Sequence, residues 1–286
     1  MISQCGSLLL IALLFGGALA PDSPKDRNFV QSLSKGLRVL LHLGERNEPV
    51  SLSELARALE TDKTTATRLC HTLEEMGFVW RDENKKYHLT LKVLSLGYSA
   101  ISQLGWREIA DTHLRVFHND IGEGVDLSVL EDDQALRLLR YPGKRFDASS
   151  YRVGMKLPVY CTAQGKVLIA MSSPKVANPI LEKIKFRPLT PHTITNMEDF
   201  QKELKKIRKN GYAIAYEEFS IGIAAVAAPV LDANKNAFAA VNVGVLTQYY
   251  SLEELQQTMA PRVQEAAGQI SKALANVEWN KFNDGG

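Results

Sequence analysis

The most regular hydrophobic pattern of the chain lies in residues 62–79, DKTTATRLCHTLEEMGFV. Apolar side chains recur there at spacings of three and four, at Ala66, Leu69, Cys70, Leu73 and Met76. This spacing predicts a helix with one apolar face. Asp62 is a suitable N-cap, and Gly77 stands where a glycine ends many helices.

Basic and hydroxyl side chains occupy the opposite face of this helix in its first two turns: Lys63, Thr64, Thr65, Thr67, Arg68 and His71. The acids Glu74 and Glu75 come only in the last turn. The helix dipole favours the reverse order, with acids early and bases late. A helix whose first half contacts phosphates and base edges explains the order. A solvated face without acids is the alternative that this helix alone leaves open.

A second short helix precedes it, in SLSELARALET. Ser53 can cap this helix, and Leu55, Ala56 and Leu59 then point inward. A turn over Glu60 to Asp62 joins the two helices. This is the helix-turn-helix arrangement, in which the second helix enters the DNA major groove.

A β-hairpin follows the helices, because residues 78–80 and 87–89 alternate as strands around the polar turn DENKK. Arg81, Lys85 and Lys86 near its tip can reach phosphates. Upstream, QSLSKGLRVLLHLG predicts a first helix with one apolar face, formed by Leu33, Leu37, Leu40 and Leu41. These elements predict a winged helix-turn-helix that binds a double-stranded DNA operator. Gln31, Ser32 and Ser53, at the beginnings of the two upstream helices, complete the candidate DNA-contacting residues.

Net charge does not identify the partner, because the 286-residue chain carries only +2. The placement of bases on one face therefore matters more than their number. A monomer with few phosphate contacts binds DNA weakly, so we expect a dimer or tetramer that reads two half-sites.

The region after the hairpin contains a connecting helix and a mixed domain. Residues 89–105, LTLKVLSLGYSAISQLG, are apolar nearly all round, so part of that surface requires a partner. The patterns then predict a helix from Trp106 and flanking helices around alternating strands. The helices are expected at 162–171, 198–210 and 251–277, and the strands near 124–130, 135–141, 149–153, 211–219, 224–232 and 237–246. Together they favour an α+β domain with an antiparallel sheet.

Three motifs in this order resemble the IclR family of bacterial transcriptional regulators. They are the helix-turn-helix stretch SLSELARALETDKTTATRLCHTLEEMGFV, then RVGMKLPVYCTAQGKVLIA, then YEEFSIGIAAVAAPVLD. The resemblance covers residues 28–278 and implies a GAF-like effector domain. It divides the chain into an N-terminal extension (1–27), a winged helix-turn-helix (28–89), a linker helix (90–105) and an effector-binding domain (106–280). DRNFVQSLSKGL and LPVYCTAQGKVL look most like the subgroup that controls protocatechuate, hydroxybenzoate and β-ketoadipate degradation.

The beginning of the helix at Thr162 is the candidate effector site. Free backbone N–H groups at a helix N-terminus suit a carboxylate, although ordinary capping explains the same residues. The resemblance implies a pocket for a small organic acid, with aromatic or dicarboxylic acids favoured. Its residues are Cys161, Thr162, Ala163, Gln164, Gly165, Ala215, Ala225, Asn242 and Gly244. The small apolar residues among them favour a less polar pocket with room for a ring.

No catalytic, metal or cofactor site is predicted. The six histidines and three cysteines have no metal-ligand spacing and form no disulfide framework. Glu217 and Glu218 would point to opposite faces of a strand, so they are unlikely to share a substrate. Cys161 has no partner that would activate it and is expected to be a packed thiol. We therefore expect a regulator rather than an enzyme.

Residues 7–23, SLLLIALLFGGALAPDS, have the length and the small-residue ending of a signal peptide. No basic residue precedes Leu8, however, and an exported protein would not reach chromosomal DNA. We expect a non-native upstream start and a cytoplasmic protein. Tethering to a membrane is the alternative.

Overall fold

The computed structural model describes residues 28–46, 48–102, 104–145 and 151–275. The chain divides into two compact units, and the boundary along the sequence lies between Leu104 and Gly105. The extension 1–27, with its signal-like segment, lies outside the described residues. Within the described ranges, no helix is both long and apolar enough to cross a membrane.

The N-terminal unit is a winged helix-turn-helix. Its elements are α1 (Gln31–Glu45), β1 (Val50–Ser51), α2 (Leu52–Ala58), α3 (Lys63–Glu75), β2 (Val79–Arg81), β3 (Lys86–Leu89) and α4 (Lys92–Ser102). The strands form an antiparallel sheet in the order β1-β3-β2, with Val50 opposite Tyr87 and Trp80 opposite His88. The pattern predicted β2 and β3 but not β1, because two residues are too short to show alternation.

The core of this unit lies between the three helices and the wing. Leu55, Leu59, Ala66, Cys70 and Leu73 are buried, as their spacing predicted. Met76 is 52% exposed, however, so the apolar face of α3 ends one turn before its last predicted member. Burial raises the pKa of the Cys70 thiol to about 11, which makes it a packing side chain rather than a reactive one.

The face of α1 that packs against the core is not the apolar face that the sequence pattern indicated. Val39 and Leu43 are buried, whereas Leu33, Leu37 and Leu41 are 52–62% exposed and only Leu40 packs partly against the core. Both sets have helical spacing, so periodicity alone could not choose between them. The three exposed leucines form a second apolar stripe on α1, which we call the α1 leucine stripe.

The structure confirms Asp62 as the N-cap of α3, whereas the prediction of Ser53 as the N-cap of α2 is wrong. Asp62 Oδ1 accepts the Thr65 N–H at 2.8 Å and begins α3. Ser51, not Ser53, caps α2, because its hydroxyl accepts the Glu54 N–H at 3.3 Å and Glu54 accepts the Ser51 N–H at 2.9 Å. The helix therefore begins directly after β1, and Ser53 lies exposed in its first turn.

The C-terminal unit is an antiparallel sheet with helices on both faces. Its elements are α5 (Gly105–Ile121), β4 (Gly124–Glu131), β5 (Gln134–Tyr141), β6 (Lys156–Pro158), α6 (Ala163–Met171), α7 (Pro174–Lys183), α8 (Met197–Asn210), β7 (Ala213–Tyr216), β8 (Ile223–Leu231), β9 (Ala237–Leu246), α9 (Leu252–Glu254), a π-helical turn (Leu255–Met259) and α10 (Ala260–Ala273). The strand order is β6-β5-β4-β9-β8-β7. Of the strand expected near 149–153, residues 149–150 lie outside the described residues and 151–153 form no strand; the strand β6 begins instead at Lys156. The helix α7 was not predicted.

Strand alternation assigns the two faces of this sheet. Val241, Val243 and Val245 of β9 face one core, which contains buried residues of α5 and α10. Ala240 faces the other core, with α6 and α8. Asn242 and Gly244 share the parity of Ala240 and therefore lie under α6. The valine face packs against α5 and α10, and the small-residue face leaves space beneath α6.

Candidate DNA-binding surface and effector cavity

The outward face of α3 is basic in its first two turns. Lys63, Thr64, Thr67, Arg68 and His71 are exposed, and Thr65 is half-buried. The first turn contains no acid. Two hydroxyls make internal bonds, because Thr65 Oγ1 donates to Asp62 Oδ2 at 2.7 Å and Thr67 Oγ1 donates to the Lys63 carbonyl at 2.7 Å. Lys63 and Arg68 therefore supply the charge that this face presents, and His71 adds an exposed imidazole.

The wing presents three further cations. Arg81, Lys85 and Lys86 are exposed around the turn between β2 and β3, where Lys85 adopts a positive φ of 60°. Trp80 stacks on His88 with ring centroids 4.3 Å apart, and His88 Nε2 lies 3.0 Å from Asp82 Oδ2. These contacts stiffen the hairpin behind its basic tip. Gln31, Ser32 and Ser53 are also exposed.

The helix α4 buries none of its residues within the N-terminal unit. Leu94, Leu96 and Tyr98 are 58–69% exposed, and the preceding Leu91 is 86% exposed. A helix without a packed face is marginal in water, so this apolar surface requires another partner.

A cavity of about 50 Å³ lies between α6 and the small-residue face of the sheet. Cys161, Thr162 and Gln164 line it on the helix side. The sheet side is lined by Ala215, Ala225, Asn242 and Gly244. Ala225 on β8 lies opposite Ala215 of β7 and opposite Gly244 of β9. Seven of the nine predicted pocket residues thus surround one cavity.

Ala163 and Gly165 do not line this cavity. Ala163 is buried in the core beneath α6. Gly165 lies against the Val159 backbone, where an added Cβ would stand 2.4 Å from the Val159 Cα. Gly165 is therefore required for close packing of α6.

Four polar residues that the sequence reasoning missed complete the cavity: Asp126, Arg137, Arg140 and Tyr151. Asp126 is fully buried and lies 3.3 Å from Arg137 Nε and 3.3 Å from Arg140 Nη1. Asn242 Nδ2 donates to Asp126 Oδ2 at 3.0 Å. The cavity therefore contains a buried polar cluster that the sequence did not predict, while its accessible lining is mainly apolar, as the small residues indicated.

A β-bulge explains why the two arginines meet. Asp126 pairs with Arg140 and Ser128 pairs with Arg137, with the register shift between Leu127 and Ser128. Residues three apart on a regular strand point to opposite faces, but one extra residue restores the same face. Strict alternation along the sequence therefore predicts Arg137 and Arg140 on opposite faces of β5, whereas the structure places them on the same face.

Tyr151 and burial set the electrostatics of this pair. The guanidinium carbons of Arg137 and Arg140 lie 5.6 and 5.8 Å from the Tyr151 ring centroid, within cation–π distance. The pKa of Arg140 is lowered, chiefly by burial, and the neighbouring charge of Arg137 adds to this shift. The Asp126 carboxylate opposes the shift. Arginine nevertheless stays charged in proteins, so two cations face one buried carboxylate.

The remaining chemically conspicuous groups have structural partners. Lys166 is fully buried, with Nζ 2.5 Å from Glu218 Oε1. Glu217 lies in the turn after β7, not on the strand as expected, and accepts the Gly222 N–H at 3.0 Å. Burial raises the pKa of the Cys161 thiol far above its ordinary value. Among the residues described, no group of histidines, cysteines and acids could hold a metal ion.

Two family models match this chain. The model described as bacterial transcriptional regulator IclR C-terminal matches residues 98–272, and the IclR helix-turn-helix domain matches residues 32–83. The chain belongs to the IclR family. Both matched domains are those of transcriptional regulators, not of enzymes.

Individual IclR-family relatives cover nearly the whole chain. The transcriptional regulator KdgR of Escherichia coli is 30% identical, over 88% of this chain and 96% of its own. The Pca regulon regulatory protein of Pseudomonas putida is 26% identical, over 87% and 86%. The crystal structure of an IclR homologue of Microbacterium hydrocarbonoxydans, complexed with 4-hydroxybenzoate, matches with a TM-score of 0.71. It is 23% identical, over 85% of this chain and 98% of its own.

Proposed function

We propose that this IclR-family regulator binds an operator with α3 in the major groove and the wing on flanking phosphates. The exposed basic side chains of Lys63 and Arg68 and the exposed imidazole of His71, with no acid in the first turn of α3, carry the proposal. The rival is a winged helix that contacts only proteins. It predicts that Arg68→Ala, Thr65→Ala and Lys85→Ala leave function intact.

Self-association completes the DNA-binding assembly. We propose that α4, within the linker 90–105, packs against a second copy of the chain and forms dimers or tetramers. The exposed leucines of α4 and the need for two half-sites support this. The winged domain 28–89 and the effector domain 106–280 then act as the two functional parts.

The effector is proposed to be a small organic acid in the cavity under α6. Aromatic or dicarboxylic acids are favoured, because the related Microbacterium protein was crystallised with 4-hydroxybenzoate and the resemblance favours the aromatic-acid subgroup. A different carboxylate or sugar-acid pathway is the alternative, since identity to KdgR exceeds identity to the Pca regulon protein.

Binding of the acid is proposed to shift the relative arrangement of two DNA-binding heads. Such coupling requires that the acid binds two arrangements with different affinity. Isothermal titration calorimetry on free and operator-bound protein tests it, because equal affinities would rule the coupling out.

The first experiment is a thermal-shift screen of the full chain with protocatechuate, 4-hydroxybenzoate, β-ketoadipate, pyruvate, glyoxylate and sugar acids. A ligand at about 100 times its dissociation constant adds roughly 2.7 kcal/mol to the free energy of unfolding. We expect one acid to raise the melting temperature, and Ala225→Leu, which fills the cavity, to abolish the rise. No shift with any acid would overturn the effector proposal and leave the DNA-binding proposal standing.

We also propose that the protein acts in the cytoplasm, where it reaches chromosomal DNA. Cell fractionation tests this location. Recovery of most of the protein with the membrane or the periplasm would contradict it.

A further inference from the structure

Unsatisfied polar atoms concentrate around the cavity under α6. Among the described residues, nine buried side-chain nitrogen or oxygen atoms have no hydrogen-bond partner, and five of them belong to cavity residues. They are Arg140 Nε, Arg140 Nη2, Gln164 Oε1, Asn242 Oδ1 and Arg137 Nε, of which Arg137 Nε still lies 3.3 Å from Asp126 Oδ1 as an ion pair. A buried polar atom without a partner is destabilising. The mainly apolar lining of the cavity therefore encloses a small group of polar atoms that the described residues do not satisfy.

Arg140 presents the geometry of a carboxylate binder. Its Nη1 is directed to Asp126, whereas Nε and Nη2 have no hydrogen-bond partner among the described residues. The N–H groups of Nε and Nη2 point the same way and form one edge of the planar guanidinium. That edge matches the two oxygens of a carboxylate, which arginine binds through two parallel hydrogen bonds.

Charge at the site also favours an anion. Arg137 and Arg140 have side chains that are 3% and 7% exposed, and among the residues that the structure describes Asp126 is the one carboxylate paired with them. This leaves a buried excess of one positive charge. A buried charge without a counterion is strongly unfavourable, so a bound anion would stabilise the unit.

The two amide oxygens require the opposite kind of partner. Gln164 lies in the first turn of α6 and Asn242 lies on β9, and the free atom of each is an acceptor. Asn242 already donates its Nδ2 hydrogen to Asp126, which fixes its oxygen as the free atom. A carboxylate cannot satisfy these oxygens, whereas a hydroxyl can donate to them.

We propose that Arg140, positioned by Asp126 beside Arg137, binds the carboxylate of the effector through its Nε–Nη2 edge, and that Gln164 accepts a hydrogen bond from a hydroxyl of the same molecule. The inference rests on the proposed effector function and names the ligand class as hydroxylated carboxylic acids. It assigns the carboxylate to the sheet side of the cavity, not to the N-terminus of α6. A ring-sized ligand requires the cavity to widen, because one water needs about 10–15 Å³ and the cavity offers about 50 Å³.

Calorimetry with acid and amide pairs tests the carboxylate assignment on the full chain. The pairs are 4-hydroxybenzoate with 4-hydroxybenzamide, and gluconate with gluconamide. We expect wild-type protein to bind one of the acids at least tenfold more tightly than its amide. Arg140→Gln should reduce that preference at least tenfold. Arg145→Gln, an exposed arginine outside the cavity that pairs with Glu123, is the matched control and should retain the preference.

Two variants guard against loss of folding. Arg140→Lys retains the charge and removes the fork, so it should weaken acid binding but keep part of the preference over the amide. Gln164→Met retains the volume and removes the acceptor. It should make benzoate bind as well as 4-hydroxybenzoate, or a deoxy sugar acid as well as gluconate, while wild-type protein favours the hydroxylated acid about tenfold. Circular dichroism establishes that each variant is folded.

These outcomes distinguish a failure of this inference from a failure of the proposed effector function. If wild-type protein binds none of these acids and none of the acids in the thermal-shift screen, the effector proposal itself is wrong. If it binds an acid and Arg140→Gln keeps the full preference over the amide, the effector proposal stands and the arginine assignment is overturned. If adipate, which has no hydroxyl, binds as tightly as the hydroxylated acids, the hydroxyl requirement is overturned.

Discussion

At the scale of single residues, Arg68 separates a DNA-reading helix from a solvated one. It is exposed on the second turn of α3, and no acid lies in the first turn. An arginine that contacts a base edge contributes about 1–3 kcal/mol, whereas a phosphate contact mainly sets the salt dependence. The same side chain on a merely solvated face would contribute to neither.

We therefore expect Arg68→Ala to weaken operator binding by about 1–3 kcal/mol, or to lower the salt slope by about one. Fluorescence anisotropy with DNA selected by the wild-type protein, at several salt concentrations, measures both quantities. Arg187→Ala, an exposed arginine of the C-terminal unit, is the control. Identical binding by both variants would favour the protein-interaction alternative.

The effector residues show where sequence reasoning stops. Residues such as Ala225 and Asn242 follow from a recognisable motif, and they do surround one cavity. Arg137 and Arg140 were missed because a β-bulge, which periodicity does not reveal, turns them to the same face. Gly165 was assigned to the ligand although it packs against Val159, because a glycine near a helix N-terminus suits either role.

At the scale of elements, caps and close packing set the helix positions. The pattern located α3 correctly, because Asp62 and the apolar spacing agree. For α1 it identified the leucine face but not the packed face, because Leu37 and Val39 belong to two competing stripes and only tertiary packing selects the buried one. It missed β1, whose two residues pair with β3 and begin α2 at Ser51.

Two glycine substitutions should change stability in opposite directions. Gly165→Ala places a Cβ 2.4 Å from the Val159 Cα, so we expect it to destabilise the C-terminal unit by about 1–3 kcal/mol. Gly268→Ala, within α10, meets no atom within 4 Å and should stabilise the helix by about 1 kcal/mol. Urea denaturation measures both. Equal effects of the same sign would contradict the packing assigned to Gly165.

The Asp62 cap predicts a pH dependence. The Thr65 N–H and hydroxyl hold the pKa of Asp62 below its ordinary value. Stability from a lowered carboxyl pKa is present above the unfolded pKa, about 3.9, and is lost as the pH falls through the folded pKa. Asp62→Ala should therefore lower the melting temperature at pH 7 and have a smaller effect below pH 3. Glu75→Ala, in the last turn of α3, is the control, and a pH-independent effect of Asp62→Ala would argue against the cap.

At the scale of the whole molecule, two apolar surfaces of the N-terminal unit have no partner among the residues of that unit that the structure describes. One is the α1 leucine stripe, and the other is the nearly continuous apolar surface of α4. The sequence pattern indicated both apolar faces, but it predicted a partner only for the α4 region, which is apolar nearly all round. Scattered exposed apolar residues are ordinary, whereas a helix that buries nothing indicates an interface.

Self-association and operator binding should therefore fail together when α4 is made polar. Leu94→Glu places a charge on the proposed interface, so we expect a shift from dimer or tetramer to monomer. Operator affinity should fall by more than tenfold, because a monomer occupies one half-site. Sedimentation velocity and anisotropy on the same samples measure the two effects. Val176→Glu, a comparable change at a 40% exposed residue of α7, should alter neither.

A Leu94→Glu protein that stays oligomeric and binds DNA normally would place the interface elsewhere. Leu37→Glu would then ask whether the α1 leucine stripe forms it, because that stripe is the other apolar surface of the unit that needs a partner.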